Sequence, residues 1–311
     1  SEKATAKAKC TVNKNITLYA VQKKAVQLTF HRCDGSTWQK TTLAKGSSYS
    51  LPGVRDAEGY TFMGWSTKPM QSVSPQYEAE EKITVNGNVD LYAVVFNRTT
   101  ETDLTEDQLP QVDIYKYKQV IFVGDSRTEF MENVLTGMGE SATKNVKFVC
   151  SAGKGLDWFT TTGWAQLYSI VQHDSNSILS KKTAVIFNFG VNDLSKSADY
   201  AEYYNWIAPQ LKSKGCELYF MSVNPVNRLM LPNAGRADRS EAAVRSFNQY
   251  MKANLSSAYT YIDMYSYLKS TGYSFASDHY GTGTVDDGLH YTTRTYKRIF
   301  AKCMDSLRVP A

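Results

Sequence analysis

The chain has 311 residues, 42% hydrophobic and 21% charged, with a net charge of +5. These are ordinary globular values and leave room for two cores, which excludes a disordered or fibrous chain. The positive excess is not gathered into an arginine-rich run or basic helix, which argues against nucleic acid, and no apolar run reaches the roughly 18 residues of a membrane span.

The opening segment, residues 1–10 (SEKATAKAKC), lacks the apolar stretch of a signal peptide and reads as a polar linker. The five cysteines, Cys10, Cys33, Cys150, Cys216 and Cys303, form no CxxC pair and stand near no histidine at ligand spacing. No metal is expected, and zero, one or two disulfides remain open.

Residues 1–97 carry β-type runs, with LTF at 28–30, YTFMGW at 60–65 and VDLYAVVF at 89–96. Turn formers at 33–36, 51–53 and 86–88 separate them. NITLYAV at 15–21 recurs as NVDLYAV at 88–94, a spacing of about 70 residues that reads as an array of small domains. Residues 1–24 are then the end of a preceding unit with its linker, and 25–97 a complete unit.

Gly46, the run Gly-Tyr-Thr-Phe-Met-Gly-Trp at 59–65 and Leu-Tyr-Ala at 91–93 resemble the Listeria–Bacteroides, or internalin-type B, repeat. The resemblance implies a small β-grasp-like module of bacterial surface and secreted proteins, and so an extracellular or cell-surface location. Tyr60, Trp65 and Tyr92 could form a sugar-stacking platform or pack a small sheet. The packed sheet is the favoured reading, because the family places these aromatics in its core.

Residues 98–116 have linker composition, polar with one Pro, and could equally strap one domain to the other. Within 117–311 the pattern alternates. Buried-strand runs stand at 118–124, 146–150, 183–190, 217–223 and 260–264, and helical stretches near 198–214, 239–256 and 293–307. The expected fold is α/β, a parallel sheet flanked by helices, with ligands beyond the C-terminal ends of its strands.

Four of these segment ends carry candidate chemistry. Gly124-Asp125-Ser126 turns sharply into a helix, where a serine would have a free backbone N–H beside its hydroxyl, although Asp or Ser also makes a good N-cap. Residues 150–155 (CSAGKG) form a glycine-rich turn. Gly190-Val191-Asn192-Asp193 offers an amide donor for an oxyanion, or only a turn. Asp287-Gly288-Leu289-His290 can set a carboxylate against one nitrogen of an imidazole and leave the other free.

Taken in order, these blocks resemble the SGNH hydrolases, the GDSL-like esterases, over about residues 117–309. The resemblance implies an SGNH/flavodoxin-like fold and matches Ser126 to the nucleophile and Asp287 and His290 to the rest of a triad. It matches Asn192 and Gly155, or less well Gly153, to the oxyanion hole beside the Ser126 N–H. The first block reads Gly-Asp-Ser-Arg-Thr rather than Gly-Asp-Ser-Leu, and the second lacks the family's Asn.

No cofactor is required by such chemistry. The expected partner is an acylated glycan or another small ester substrate, with Arg127, Trp158 and Asn224 as candidate substrate contacts and the repeat as a candidate contact to cell wall or glycan. Asn224-Pro225-Val226-Asn227 lines the pocket or forms a structural turn. A non-catalytic adhesin and an O-acyltransferase on the same fold are the rival readings. Because every candidate residue follows Gly124, activity on a small ester is expected to survive removal of residues 1–97.

Overall fold

The computed structural model describes residues 13–15, 17, 22–113, 116–174, 182–232, 239–276 and 287–307. Most of the first repeat copy at 15–21 and Cys10 lie outside the described residues.

The N-terminal part is built on β1 (Ala25–His31), β2 (Thr37–Ala44), β3 (Ser47–Ser50), β4 (Tyr60–Ser66), β5 (Lys82–Val85) and β6 (Val89–Asn97). Four of these strands make a mixed sheet in the order β2-β1-β6-β4, with β1 and β6 parallel at its centre, and β3 pairs with β5. Leu28, Phe30, Phe62, Trp65 and Leu91 fill one face. Trp65 is fully buried, with its indole N–H donating to the Pro52 carbonyl (2.8 Å), so it is a core residue. Tyr60 is exposed, and Tyr92 stacks on His31.

The C-terminal part is a five-stranded parallel sheet. Its strands are β7 (Tyr117–Gly124), β8 (Val146–Cys150), β9 (Lys182–Asn188), β10 (Cys216–Met221) and β11 (Tyr259–Ile262), in the order β11-β10-β9-β7-β8. Residues 120–123 and 184–187 are fully buried, as befits strands covered on both faces. Side chains alternate between the layers with the period of two that strands impose. Ile121, Val123, Val185 and Phe187 enter one cluster and Val120, Phe122, Ala184 and Ile186 the other.

The first layer holds α2 (Leu156–Trp158), which passes through one π-helical turn (Phe159–Gly163) into α3 (Trp164–Asp174), together with α4 (Ser197–Ser213) and α5 (Glu241–Asn254). The second holds α1 (Ser126–Met138), α6 (Met264–Thr271) and α7 (Thr293–Ser306). The strand order reverses between β7 and β9. Crevices at such switch points are where open α/β sheets bind ligands, and Ser126 stands there.

The two parts share a core. On β4 and β6, Met63, Val94 and Phe96 turn away from the repeat's own cluster and pack with Leu268, Tyr273, Phe275 and Phe300. Phe96 lies so close to Gly272 that a Cβ there would come within 2.2 Å of its ring. Lys269 on α6 is buried in the seam, donating to the Met63 carbonyl (2.8 Å) between Glu78 (2.9 Å) and Glu241 (2.8 Å).

Residues 98–113 add to the seam. Glu101 is buried against Ser274, Thr295 and Arg298, and Leu109 and Val112 enter the second cluster. The expectation of an independently working C-terminal part rested on composition and on every candidate residue following Gly124, and neither of those registers this shared core. Among the described residues no helix is long and apolar enough to cross a membrane.

Candidate active site

β7 ends at Gly124, where the chain must bend hard against its neighbours. A Cβ on Gly124 would sit 2.0 Å from Thr128 Oγ1 and 3.0 Å from the Asn188 carbonyl, so only glycine fits. Asp125 caps the helix that follows, its carboxylate accepting the Arg127 N–H (3.0 Å). Burial pushes the Asp125 carboxyl up to about 6, against the pull of Arg127. Ser126 is then the first residue of α1, 6% exposed, at the end of the helix where backbone N–H groups lack intrahelical partners.

His290 reaches Ser126 across the sheet end. Its Nε2 lies 2.9 Å from Ser126 Oγ, and its Nδ1 lies 2.6 Å from Asp287 Oδ2. Asp287 is fully buried, and its other oxygen accepts the backbone N–H groups of Leu289 (2.8 Å) and His290 (2.7 Å). A carboxylate beside Nδ1 keeps the ring proton there, which leaves Nε2 able to accept from the serine hydroxyl. The loop is tied down by a short antiparallel pairing, Ala276 N–H to the His290 carbonyl (2.8 Å) and Asp287 N–H to the Ala276 carbonyl (3.0 Å). Phe130, one helical turn beyond Ser126, lays its ring 4.6 Å from the imidazole. Its i+4 spacing from the serine was the available signal for it.

The other two turns are locked to each other. A Cβ on Gly155 would fall 2.3 Å from Asp193 Oδ2, which accepts the Leu156 N–H (2.9 Å) while Tyr200 donates to Asp193 Oδ1 (2.7 Å). At Gly153 a Cβ would meet nothing within 4 Å. Asn192 donates one amide hydrogen to the Lys154 carbonyl (2.8 Å) and accepts from Arg239 on Oδ1 (2.7 Å). Arg239 also donates to the Val191 carbonyl (3.1 Å). A guanidinium can only donate, so Arg239 fixes which end of the carboxamide is oxygen, and only one of the two amide hydrogens is engaged, by the Lys154 carbonyl. Nothing in the sequence near Arg239 signals this role.

Arg127 is corrected as a substrate contact. It is 2% exposed, and its guanidinium donates to the carbonyls of Leu289, Asn224 and Pro225, each at 3.0 Å. It stitches the His290 loop to the turn after β10. Asn224 is likewise buried in that turn, 1% exposed. Trp158 is half-buried, its ring packed on Phe189 and over Gly163. Cys33, Cys150 and Cys303 carry free thiols. Cys150 donates to Glu132 (3.3 Å), and burial holds its thiol protonated.

Residues 27–94 match the profile of the Listeria-Bacteroides repeat domain, and residues 120–303 that of the GDSL-like Lipase/Acylhydrolase. No curated protein sequence matches the chain. Similar solved structures include an acetyl xylan esterase, 11% identical, covering 61% of this chain and 100% of that one with a TM-score of 0.41. A protein of Bacteroides fragilis assigned as an acylhydrolase is 16% identical, with coverages of 65% and 92% and a TM-score of 0.41. The catalytic domain of peptidoglycan O-acetyltransferase A from Streptococcus pneumoniae is 17% identical, with coverages of 61% and 92% and a TM-score of 0.36. The acylhydrolase profile spans well over half of the residues, and on that ground the chain belongs to the GDSL-like lipase/acylhydrolase family, the ester hydrolases of SGNH type.

Proposed function

We propose that the protein is an extracellular serine esterase that removes O-acyl groups, acetyl above all, from carbohydrate or cell-wall glycan. The observation that carries the reading is the hydrogen-bonded row Ser126–His290–Asp287, at 2.9 and 2.6 Å. Ser126 Oγ attacks the ester carbonyl carbon as its proton passes to His290 Nε2, and Asp287 steadies the imidazolium. The negative charge formed on the carbonyl oxygen is met by the N–H groups of Ser126 and Gly155 and by the free amide hydrogen of Asn192. One such donor is worth about 3–4 kcal/mol in the transition state. Collapse breaks the bond to the sugar oxygen, which takes the proton from His290. Water, giving a proton to the same nitrogen, then attacks the acyl-serine; the bond to Ser126 Oγ breaks, the serine takes that proton back from His290, and the free acid leaves.

A short acyl group suits a nucleophile that is only 6% exposed, with Phe130 against the base. No long apolar lid segment is evident in the sequence. The surface-protein repeat supports the extracellular setting and the glycan substrate, and contact between that repeat and the cell wall is part of the proposal. The test is acetate release from a panel of acetylated glycans and peptidoglycan by the wild type and by Ser126→Ala. The reading requires release by the wild type alone. Equal release by both proteins, or none from any glycan, would overturn it.

A further inference from the structure

We infer that the N-terminal repeat is a working part of the esterase, holding the loop that carries Asp287 and His290 through one positioning residue, Asn227. The inference rests on the triad reading above and assigns a role to a module that contributes no reacting group.

Asn227 stands in the turn after β10, and both of its ends are engaged. Its backbone N–H donates to the carbonyl of Gly288 (2.8 Å), the residue between Asp287 and Leu289 in the proposed catalytic loop. Its side-chain amide gives its hydrogens to the repeat, to the Val54 carbonyl (3.0 Å) and to Asp56 Oδ1 (2.8 Å). Its Oδ1 accepts the Leu229 N–H (3.2 Å). The carboxamide therefore has no freedom to rotate without leaving buried groups unpaired.

The anchor on the repeat side is rigid. The Asp56 side chain is fully buried and paired through Oδ2 with Arg98 (2.7 Å), while its Oδ1 also accepts the Phe62 N–H (3.0 Å). Arg98 is held in turn by Thr61 (2.9 Å). Beside this anchor Arg55 donates to the Leu229 carbonyl (2.6 Å). A cavity of about 90 Å³ in the seam is lined by Val54, Phe62, Asn227 and Leu229.

The turn at 224–231 is thus gripped at both ends. Arg127, next to Ser126, holds the carbonyls of Asn224 and Pro225, and the repeat holds Asn227 and Leu229. The catalytic loop is itself held from two sides, since Arg127 on α1 also takes the Leu289 carbonyl and Asn227 in the turn takes that of Gly288. Releasing one grip lets the loop drift relative to Ser126. Proton transfer from serine to imidazole depends on a contact of hydrogen-bond length, and an ångström of misplacement can cost about a hundredfold in rate.

The experiment uses the full chain with p-nitrophenyl acetate as probe, well below the melting temperature of every variant. Asn227→Ala is expected to lower kcat about tenfold with KM within twofold, and to slow labelling of Ser126 by a fluorophosphonate to a similar extent. Arg55→Ala, at an exposed residue, is expected to lower kcat two- to threefold in the same pattern. A purely structural contact would lower the melting temperature and leave kcat unchanged. Unchanged kcat in both variants overturns the inference. A wild type that hydrolyses the ester without labelling at Ser126 overturns the triad reading instead.

Discussion

Gly288 and Gly153 make a controlled pair. Both hold a left-handed backbone, at φ +69° and +68°. Replacing either with alanine incurs the same conformational penalty, about 1–2 kcal/mol, partly offset by the smaller entropy of the unfolded alanine chain. Their surroundings differ. A Cβ at Gly153 meets nothing within 4 Å, whereas one at Gly288 falls 2.4 Å from the Asn227 carbonyl and 2.6 Å from Met230 Cβ. The first of those contacts is with backbone, which cannot rotate away. Overpacking of this kind costs about 1–3 kcal/mol, and at roughly 2–4 °C per kcal/mol for a chain of this size it should appear as an additional loss of about 2–12 °C. Calorimetry of the two variants reads that difference directly. Gly288→Ala should also lower kcat, since the contact is relieved by moving the loop that carries His290. Equal melting temperatures for the two variants would refute the packing described for this loop.

Three further outcomes are expected. Asn192→Ala should lower kcat about a hundredfold with little change in KM, as for a donor acting mainly in the transition state; a rise in KM alone would make Asn192 a ground-state contact. Arg239→Ala leaves that donor present but free to flip, so a smaller loss of kcat, about tenfold, is expected in the same steady-state assay. Asp125→Asn keeps a capping oxygen and removes a buried charge. The folded carboxyl is pushed up to about 6 from 3.8, so its unfavourable contribution sets in as the pH rises through that window. The variant should therefore gain on the wild type by roughly 2–3 kcal/mol between pH 4 and pH 7, and a melting-temperature difference that does not change with pH would contradict it.

The parallel sheet was legible because strands buried on both faces read as unbroken apolar runs, as at 120–123 and 184–187. β2, β3 and β5 were not, since residues such as TWQKTTLA are mostly exposed and show no apolar alternation. The helix from Leu156 was hidden by three consecutive threonines and a glycine, which favour other structure and here coincide with the π turn. The pairing of Ser126 with His290 was legible through motif order and spacing. Arg127 was misread because adjacency in sequence is not adjacency in space. One residue along a helix is a rotation of about 100°, which turns its side chain into the fold. Asn227 stood in a recognisable turn, but its partner Asp56 is 171 residues away, and no local pattern encodes that contact.

The central claim is that Ser126 is the group that carries the acyl chain. Intact-mass analysis after treatment with a fluorophosphonate, followed by peptide mapping, tests it most directly. The account predicts one adduct, on Ser126, formed in step with loss of esterase activity and absent from Ser126→Ala, which should itself be folded and inactive. An adduct on another serine, or an alanine variant that keeps more than a few per cent of the wild-type rate, would contradict it.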